Sequence, residues 1–278
     1  MKRKLKATLI YLFLIALALV MVYPLIWLFF ATFKNNQEIF GSSQLLPSSF
    51  SFSAYAKGWV GAGRYTYTLF FTNSFKMVIP TVLFTVVSST LVGYGFARFQ
   101  FPMKKILFNI MLATLMLPNA VLIIPRYLVF RELQWLNTYL PFIVPAAFAG
   151  SAFFNYMVIQ FMRGIPLDLD ESAKIDGCNS FHILWSIILP LSTPALISVV
   201  IFQSLWTWND FFNSLIYINS TKNFTVSLAL RLAIDNTSAT NWNQVLAMSL
   251  TAIMPCLLLF MIAQKRFVEG VATTGLKG

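Results

Sequence analysis

Charge is what this sequence has least of. Only 10% of its 278 residues are Asp, Glu, Lys or Arg, whereas soluble domains carry about 25%. So few charges do not cover a water-facing surface, and with 58% hydrophobic residues most of the exterior is expected to face lipid. Cysteine is nearly absent: Cys178 falls in a charged loop and Cys256 in an apolar block, so no disulfide framework is implied. With a single histidine, His182, and well-spaced carboxylates, nothing has metal-ligand spacing. The net charge of +11 is spread singly between apolar blocks, which excludes a nucleic-acid stripe. The densest basic cluster is Lys2, Arg3, Lys4 and Lys6. No GxxxxGK[ST] loop occurs; Gly270 and Gly275 followed by Leu276 and Lys277 has an inserted residue and lacks the Ser or Thr,.

What is present is long apolar runs. A bilayer core needs roughly 20 apolar residues in a helix, and six segments qualify: about 7–33, 77–97, 106–124, 139–162, 184–208 and 244–263. The expected fold is all-α, a polytopic membrane protein with about six transmembrane helices in a single domain over 1–278. The run 7–33 is longer than a signal-peptide core of roughly 7–15 residues and lacks a small-x-small cleavage site, so it reads as a retained first helix. Six spans put both termini on one side. Assigned that way, 12 basic residues fall on the terminal side and 8 on the other, which favours cytoplasmic termini. Pro24, Pro80, Pro118, Pro141, Pro145, Pro190, Pro194 and Pro255 lie in or beside the spans. They fit ordinary membrane-helix composition or helices bent around a pathway. Gly93 and Gly95 are expected to permit close helix packing, and Arg98 reads as a plain inside anchor.

The least lipid-like part is the loop 163–190. Gly164 and Pro166 end one helix. Asp168 with Glu171 three residues on resembles an N-cap and N3 pair. Asp168, Asp170 and Glu171 suit the positive end of a helix dipole, and Gly177 suits a C-terminal stop. A short helix over about 169–176 follows, with Leu169, Ala173 and Asp176 at helical spacing. Such a helix fits docking into a groove on a partner or lying at the headgroups. At the end of the fifth segment, Trp206, Trp208, Asn209 and Asp210 combine stacking surfaces with hydrogen-bonding groups that suit a sugar pathway. They equally suit an interfacial aromatic belt with a structural helix end.

Glu171-Ser172-Ala173, Gly177, Ile187, Leu189 and Pro190 reproduce the pattern EAA-x3-G-x9-I-x-L-P, with Ser172 in place of the usual Ala. In this the chain resembles membrane subunits of binding-protein-dependent ABC importers. Leu46-Pro47, Ala54-Tyr55, Leu136-Asn137-Thr138-Tyr139, Ile175-Asp176-Gly177 and the segment from Trp206 to Phe211 resemble the carbohydrate-uptake subgroup, and the tail 264–278 resembles its maltose-type second permease. The resemblance implies a type I importer permease that is not itself an enzyme, in a bacterial or archaeal inner membrane. It implies a second, homologous permease, two ATPase subunits that bind ATP and magnesium and grip Glu171, Ser172, Ala173, Asp176 and Gly177, and an extracytoplasmic sugar-binding protein. The substrate would be a sugar, with an oligosaccharide first. No cofactor is expected on this chain. The alternative is a self-sufficient secondary transporter, which internal repeats and intramembrane charges would mark; neither is evident here.

Overall fold

The computed structural model describes residues 2–61, 64–235 and 240–275, and side chains from 4 to 264 within them except that of 235. The tail motif beyond Gln264 and the Gly270–Lys277 near-miss therefore lie outside the described side chains. Among the described residues there are helices and no strands. In chain order the helices are α1 (Lys2–Ala31), α2 (Asn36–Gly41), α3 (Ser53–Val60), α4 (Tyr67–Arg98), α5 (Lys104–Leu115), α6 (Asn119–Glu132), α7 (Leu140–Ala147) and α8 (Ala152–Arg163). They continue with α9 (Asp168–Ile175), α10 (Ser180–Ile183), α11 (Leu189–Leu191), α12 (Thr193–Trp208), α13 (Phe212–Tyr217), α14 (Val226–Asp235) and α15 (Trp242–Gly275).

Four stretches are long and apolar enough to cross a bilayer as they stand: Lys4–Ala31, Tyr67–Arg98, Leu140–Arg163 and Trp242–Gln264. Two more pass only as bent pairs, α5 with α6 at 105° and Ser180–Leu191 with Thr193–Trp208 at 72°. The third and fifth expected spans are thus each divided into two helices at a sharp bend. Pro118 stands at the first break, as the N-cap of α6. At the second, Pro190 and Pro194 each lack the N–H an uninterrupted helix would use. The chain answers with a π-helical turn, Leu184–Ile188, that ends two residues before Pro190,. The second span starts ten residues earlier than the apolar run suggests. Lys76 ends the run but simply points outward from α4, while Asn73 and Ser74 beside it are buried.

The chain divides into two compact units. The first comprises Met1–Thr68 and Ala229–Met254. Here Asn36 ties two elements: its Oδ1 accepts from Trp242 N–H at 3.0 Å and its Nδ2 donates to Thr240 O at 2.8 Å. Asn36 thereby satisfies one of the orphan donors at the start of α15. Phe33, Phe50, Phe52 and Tyr55 form an aromatic cluster around the end of α1.

The second unit comprises Leu69–Leu228 and Pro255–Gly278 and contains most of α4. Thr81, Thr85, Ser89 and Thr90 are buried, and each hydroxyl donates to the carbonyl four residues back at 2.6–2.8 Å. That satisfies the hydroxyls inside their own helix and leaves a slim surface for neighbours. Ser88 Oγ reaches across to Ala146 O at 2.7 Å. Asn137, in a left-handed conformation (φ 59°), accepts from Ser220 N–H at 2.9 Å and donates its own N–H to Tyr217 O at 2.6 Å. The segment before α7 is thereby stitched to the one after α13.

The two glycines expected to pack closely differ. A Cβ on Gly93 would sit 2.5 Å from Val158 Cγ1 and 3.2 Å from Met162 Sδ, whereas one on Gly95 would meet nothing within 4 Å. Only Gly93 is a close-approach residue; Gly95 faces open space. Gly93→Ala should therefore cost on the order of 1–3 kcal/mol through overpacking against α8, and Gly95→Ala close to nothing. Thermal unfolding of the detergent-purified variants measures both, and equal melting temperatures would refute the assignment.

Candidate functional site

The loop between α8 and α12 is organised by α9. Its N-terminus differs from the capping box read from the sequence. Leu167, in helical conformation and without a side-chain cap bond, is the N-cap, and Asp168 is already the first helical residue. An N-cap side chain needs extended backbone to reach back to the N–H groups, so Asp168 does not cap. Glu171 is exposed, and its side chain makes no hydrogen bond or ion pair among the described residues. The other end follows the sequence reading. Gly177 adopts φ 82°, its N–H donates to Lys174 O at 3.0 Å, and Cys178 N–H donates to Ala173 O at 2.9 Å. This is a complete Schellman closure.

The face that α9 turns inward is Asp170 and Ala173, 5% and 6% exposed; of the Leu169, Ala173 and Asp176 spacing read as a docking face, Ala173 is thus buried within the chain. Leu169 and Asp176 are exposed, as are Leu167 and Ile175, the latter at 87%. Ala173 joins an apolar cluster with Tyr94, Val158, Met162 and Ile183. Its small side chain permits that approach, and Ser172 beside it is exposed.

Asp170 meets Arg98. The Arg98 Nε lies 3.1 Å from Asp170 Oδ2, with side-chain exposures of 4% and 7%. Arg98 is therefore no plain anchor at a headgroup: it is buried where α4 ends. Its Nη2 also donates to Ile165 O at 3.1 Å, and one turn earlier Tyr94 Oη donates to Ser180 O at 2.9 Å. The last turn of α4 thus holds the loop before, on and after α9. Sequence reasoning missed this clamp because Arg98 sits at a span end, where a snorkelling cation is the usual reading. The available signal was the spacing of Asp170 and Ala173, three apart and so on one helix face.

Of the remaining motif residues, Ile187 and Leu189 pack partly against the same cluster, and Pro190 is exposed. Trp208 is buried against Phe71 and Phe75, with ring centroids at 5.9 and 5.1 Å. Trp206 is 50% exposed and leans on Phe153 and Phe154, both at 5.1 Å. Asn209 Nδ2 donates to Leu205 O at 2.8 Å. Asp210 Oδ1 accepts from Asn213 N–H at 3.0 Å, and Asn213 Nδ2 donates to Oδ2 at 2.9 Å. The Asn209 amide N–H and the Asp210 carboxylate are thus engaged at helix ends. Cys178 and Cys256 are free thiols, and no group of three or more His, Cys, Asp or Glu side chains suited to a metal occurs among the described residues.

A chain whose described residues form helices and no strands, with four to six bilayer-length spans, is a multi-pass membrane protein. Residues 89–273 match the family described as binding-protein-dependent transport system inner membrane component, and the chain belongs to that family: it is a permease subunit of an importer. It is 33% identical over 269 residues to the probable ABC transporter permease protein YurM of Bacillus subtilis, covering 97% of this chain and 87% of that one. It is 32% identical over the whole of both chains to the arabinooligosaccharides transport system permease protein AraQ of Halalkalibacterium halodurans. To the sn-glycerol-3-phosphate transport system permease protein UgpE of Pectobacterium atrosepticum it is 30% identical, over 91% of each. The fold matches the crystal structure of a bacterial ABC transporter involved in the import of the acidic polysaccharide alginate. The TM-score is 0.81, covering 95% of this chain and 97% of that chain at 19% identity.

Two predictions follow from the site. Arg98→Ala or Asp170→Ala leaves a buried charge alone and should cost about 3–5 kcal/mol, whereas Arg98→Met with Asp170→Leu should cost much less than either. Unfolding of the purified variants checks this, and additive losses would refute it. Burial raises the Asp210 carboxyl above its usual range, partly opposed by its bonds from the Asn213 side chain and backbone N–H. A raised folded-state value means that the stability this group contributes is complete below the unfolded carboxylate range and is lost as pH rises through the raised value. The stability of the native protein relative to Asp210→Asn should accordingly fall as pH rises from below the usual carboxylate range through the raised value,; a constant difference would contradict the assignment.

Proposed function

We propose that this permease forms half of the pathway of an ATP-driven carbohydrate importer, with α9 as the lever through which a separate ATPase acts. The carrying observation is the two-sidedness of α9. One face is clamped to α4 through Arg98 and Asp170, while Glu171, Leu167, Leu169 and Ile175 stand exposed on the others. A rigid helix with an anchored face and a free, partly apolar one suits docking into a groove. A pull on it is delivered to a membrane-spanning helix rather than absorbed by a slack loop.

In this reading the chain is one permease domain over 1–278, with both termini in the cytoplasm and the loop 163–190 on that side of a bacterial or archaeal inner membrane. It pairs with a second homologous permease, two ATPase subunits and an extracytoplasmic sugar-binding protein. ATP and magnesium belong to the ATPases. Their closure draws the two loop helices together and turns the pathway outward, and hydrolysis resets it, a rigid-body alternation. Glu171 is the polar contact to the ATPase, and Gly177 keeps α9 at its angle. An oligosaccharide is the favoured cargo, since AraQ, a relative matched along its full length, is named for arabinooligosaccharides. Trp206, half exposed, is the member of the Trp206–Asp210 group best suited to line the route.

Glu171→Lys should abolish uptake while membrane insertion persists, since a misplaced charge at an interface costs several kcal/mol, on the order of 2–5. At Gly177 the obstacle is the left-handed backbone, not space: nothing lies within 4 Å of a Cβ there. Gly177→Asn should therefore retain uptake and Gly177→Val lose it. Radiolabelled sugar uptake with membrane immunoblots decides the matter. Normal transport by both Glu171→Lys and Gly177→Val, or ion-driven uptake in liposomes lacking any ATPase, would sink the proposal.

A further inference from the structure

A cavity of about 740 Å³ opens where α4 has ended, between the turn Gln100–Met103, the start of α5 and the last residue of α8. Three cations line it, Lys104, Lys105 and Arg163, and no carboxylate does. Each cation is positioned or left free without being neutralised. Lys104 Nζ donates to the backbone carbonyl of Phe99 at 2.7 Å. The Arg163 guanidinium lies 4.6 Å from the centroid of the Phe108 ring, a cation–π contact that orients the charge and keeps it. Lys105 is exposed and meets no carboxylate among the described residues. The one buried acid of the neighbouring loop, Asp170, is taken by Arg98.

The surroundings are those of a membrane boundary. α5 begins one apolar span and Arg163 ends another. Beside the cations, Met103, Ile106 and Ile110 are 61%, 53% and 55% exposed, and Ile106 and Ile110, four residues apart, continue one face along the span. A cluster of unpaired cations at the foot of an exposed apolar strip matches an anionic lipid in both halves: phosphate on the cations, acyl chain on the isoleucines.

We infer that this cavity binds the phosphate of an anionic phospholipid headgroup, held by Lys104, Lys105 and Arg163, with the lipid's chain along Ile106 and Ile110. The lipid then sits at the root of the loop helix, because Arg163 directly precedes the Gly164–Leu167 connection into α9.

The test is native mass spectrometry of the full chain, with any subunits that copurify, released from nanodiscs holding equal phosphatidylglycerol and phosphatidylcholine. The expected result is retained phosphatidylglycerol. Lys104→Gln, Lys105→Gln and Arg163→Gln together should weaken retention roughly 100-fold, the scale for three cations at a membrane surface. Neutralising Lys4 and Lys6, which do not line the cavity, should leave it unchanged. Equal retention of the two lipids, or undiminished retention in the triple variant, overturns the inference. So does displacement of the lipid by inorganic phosphate, which would make the occupant a soluble anion. If the triple variant does not fold, Lys105→Glu alone, on an exposed side chain, reads the same loss. The measurement involves neither sugar nor ATP, so its failure leaves the importer reading standing.

Discussion

The buried pair of Arg98 and Asp170 is the contact on which the cytoplasmic architecture proposed for this permease turns. Two opposite charges with side-chain exposures of 4% and 7% are poor sources of net stability, because desolvation offsets most of their attraction. What such a pair does supply is an arrangement that is costly to leave, since separating the partners strands a charge in an apolar setting. Here the partners are the last residue of a long spanning helix and the third residue of a short loop helix. Arg98 also holds Ile165 O, and Tyr94 holds Ser180 O, so the clamp grips the loop on both sides of α9.

That geometry explains the local compositional rules of the loop. Ala173 must be small because it faces the apolar cluster beside the ion pair. Gly177 must tolerate positive φ so that the Schellman closure can turn the chain toward α10,. Ser172 at the usual Ala position is harmless for packing because it faces outward. Above the loop, close approach of α4 and α8 depends on Gly93, and α4 disposes of its buried hydroxyls by bonding them to its own carbonyls. Each feature lets helices approach in a setting where the lipid is as apolar as the side chains and only fit and hydrogen bonding favour contact.

Two helix pairs are bent by 105° and 72°, and proline stands at each break. The π turn before Pro190 shows how the second is accommodated: the chain alters its hydrogen-bond pattern ahead of the residue that cannot donate,. The motif residues Ile187, Leu189 and Pro190 fall in this irregular stretch. They lie between α10 and α12, in the first half of the second bent pair.

Much of this was legible from residue order alone. Long apolar runs made the helical spans unavoidable, because a chain in lipid must satisfy its backbone internally. The acidic first turn and the glycine stop made α9 a helix in about the right place, and the EAA pattern marked the family. What residue order did not determine is which groups meet. Whether Arg98 reaches a headgroup or a carboxylate 72 positions later, which side of α9 is inward, and which of Gly93 and Gly95 touches a neighbour all depend on helices far apart in the chain being brought together. Periodicity sorts apolar from polar faces, but a buried ion pair looks from sequence like two exposed charges. Only the tertiary structure, by closing the loop against the end of α4, makes those two charges into one clamp.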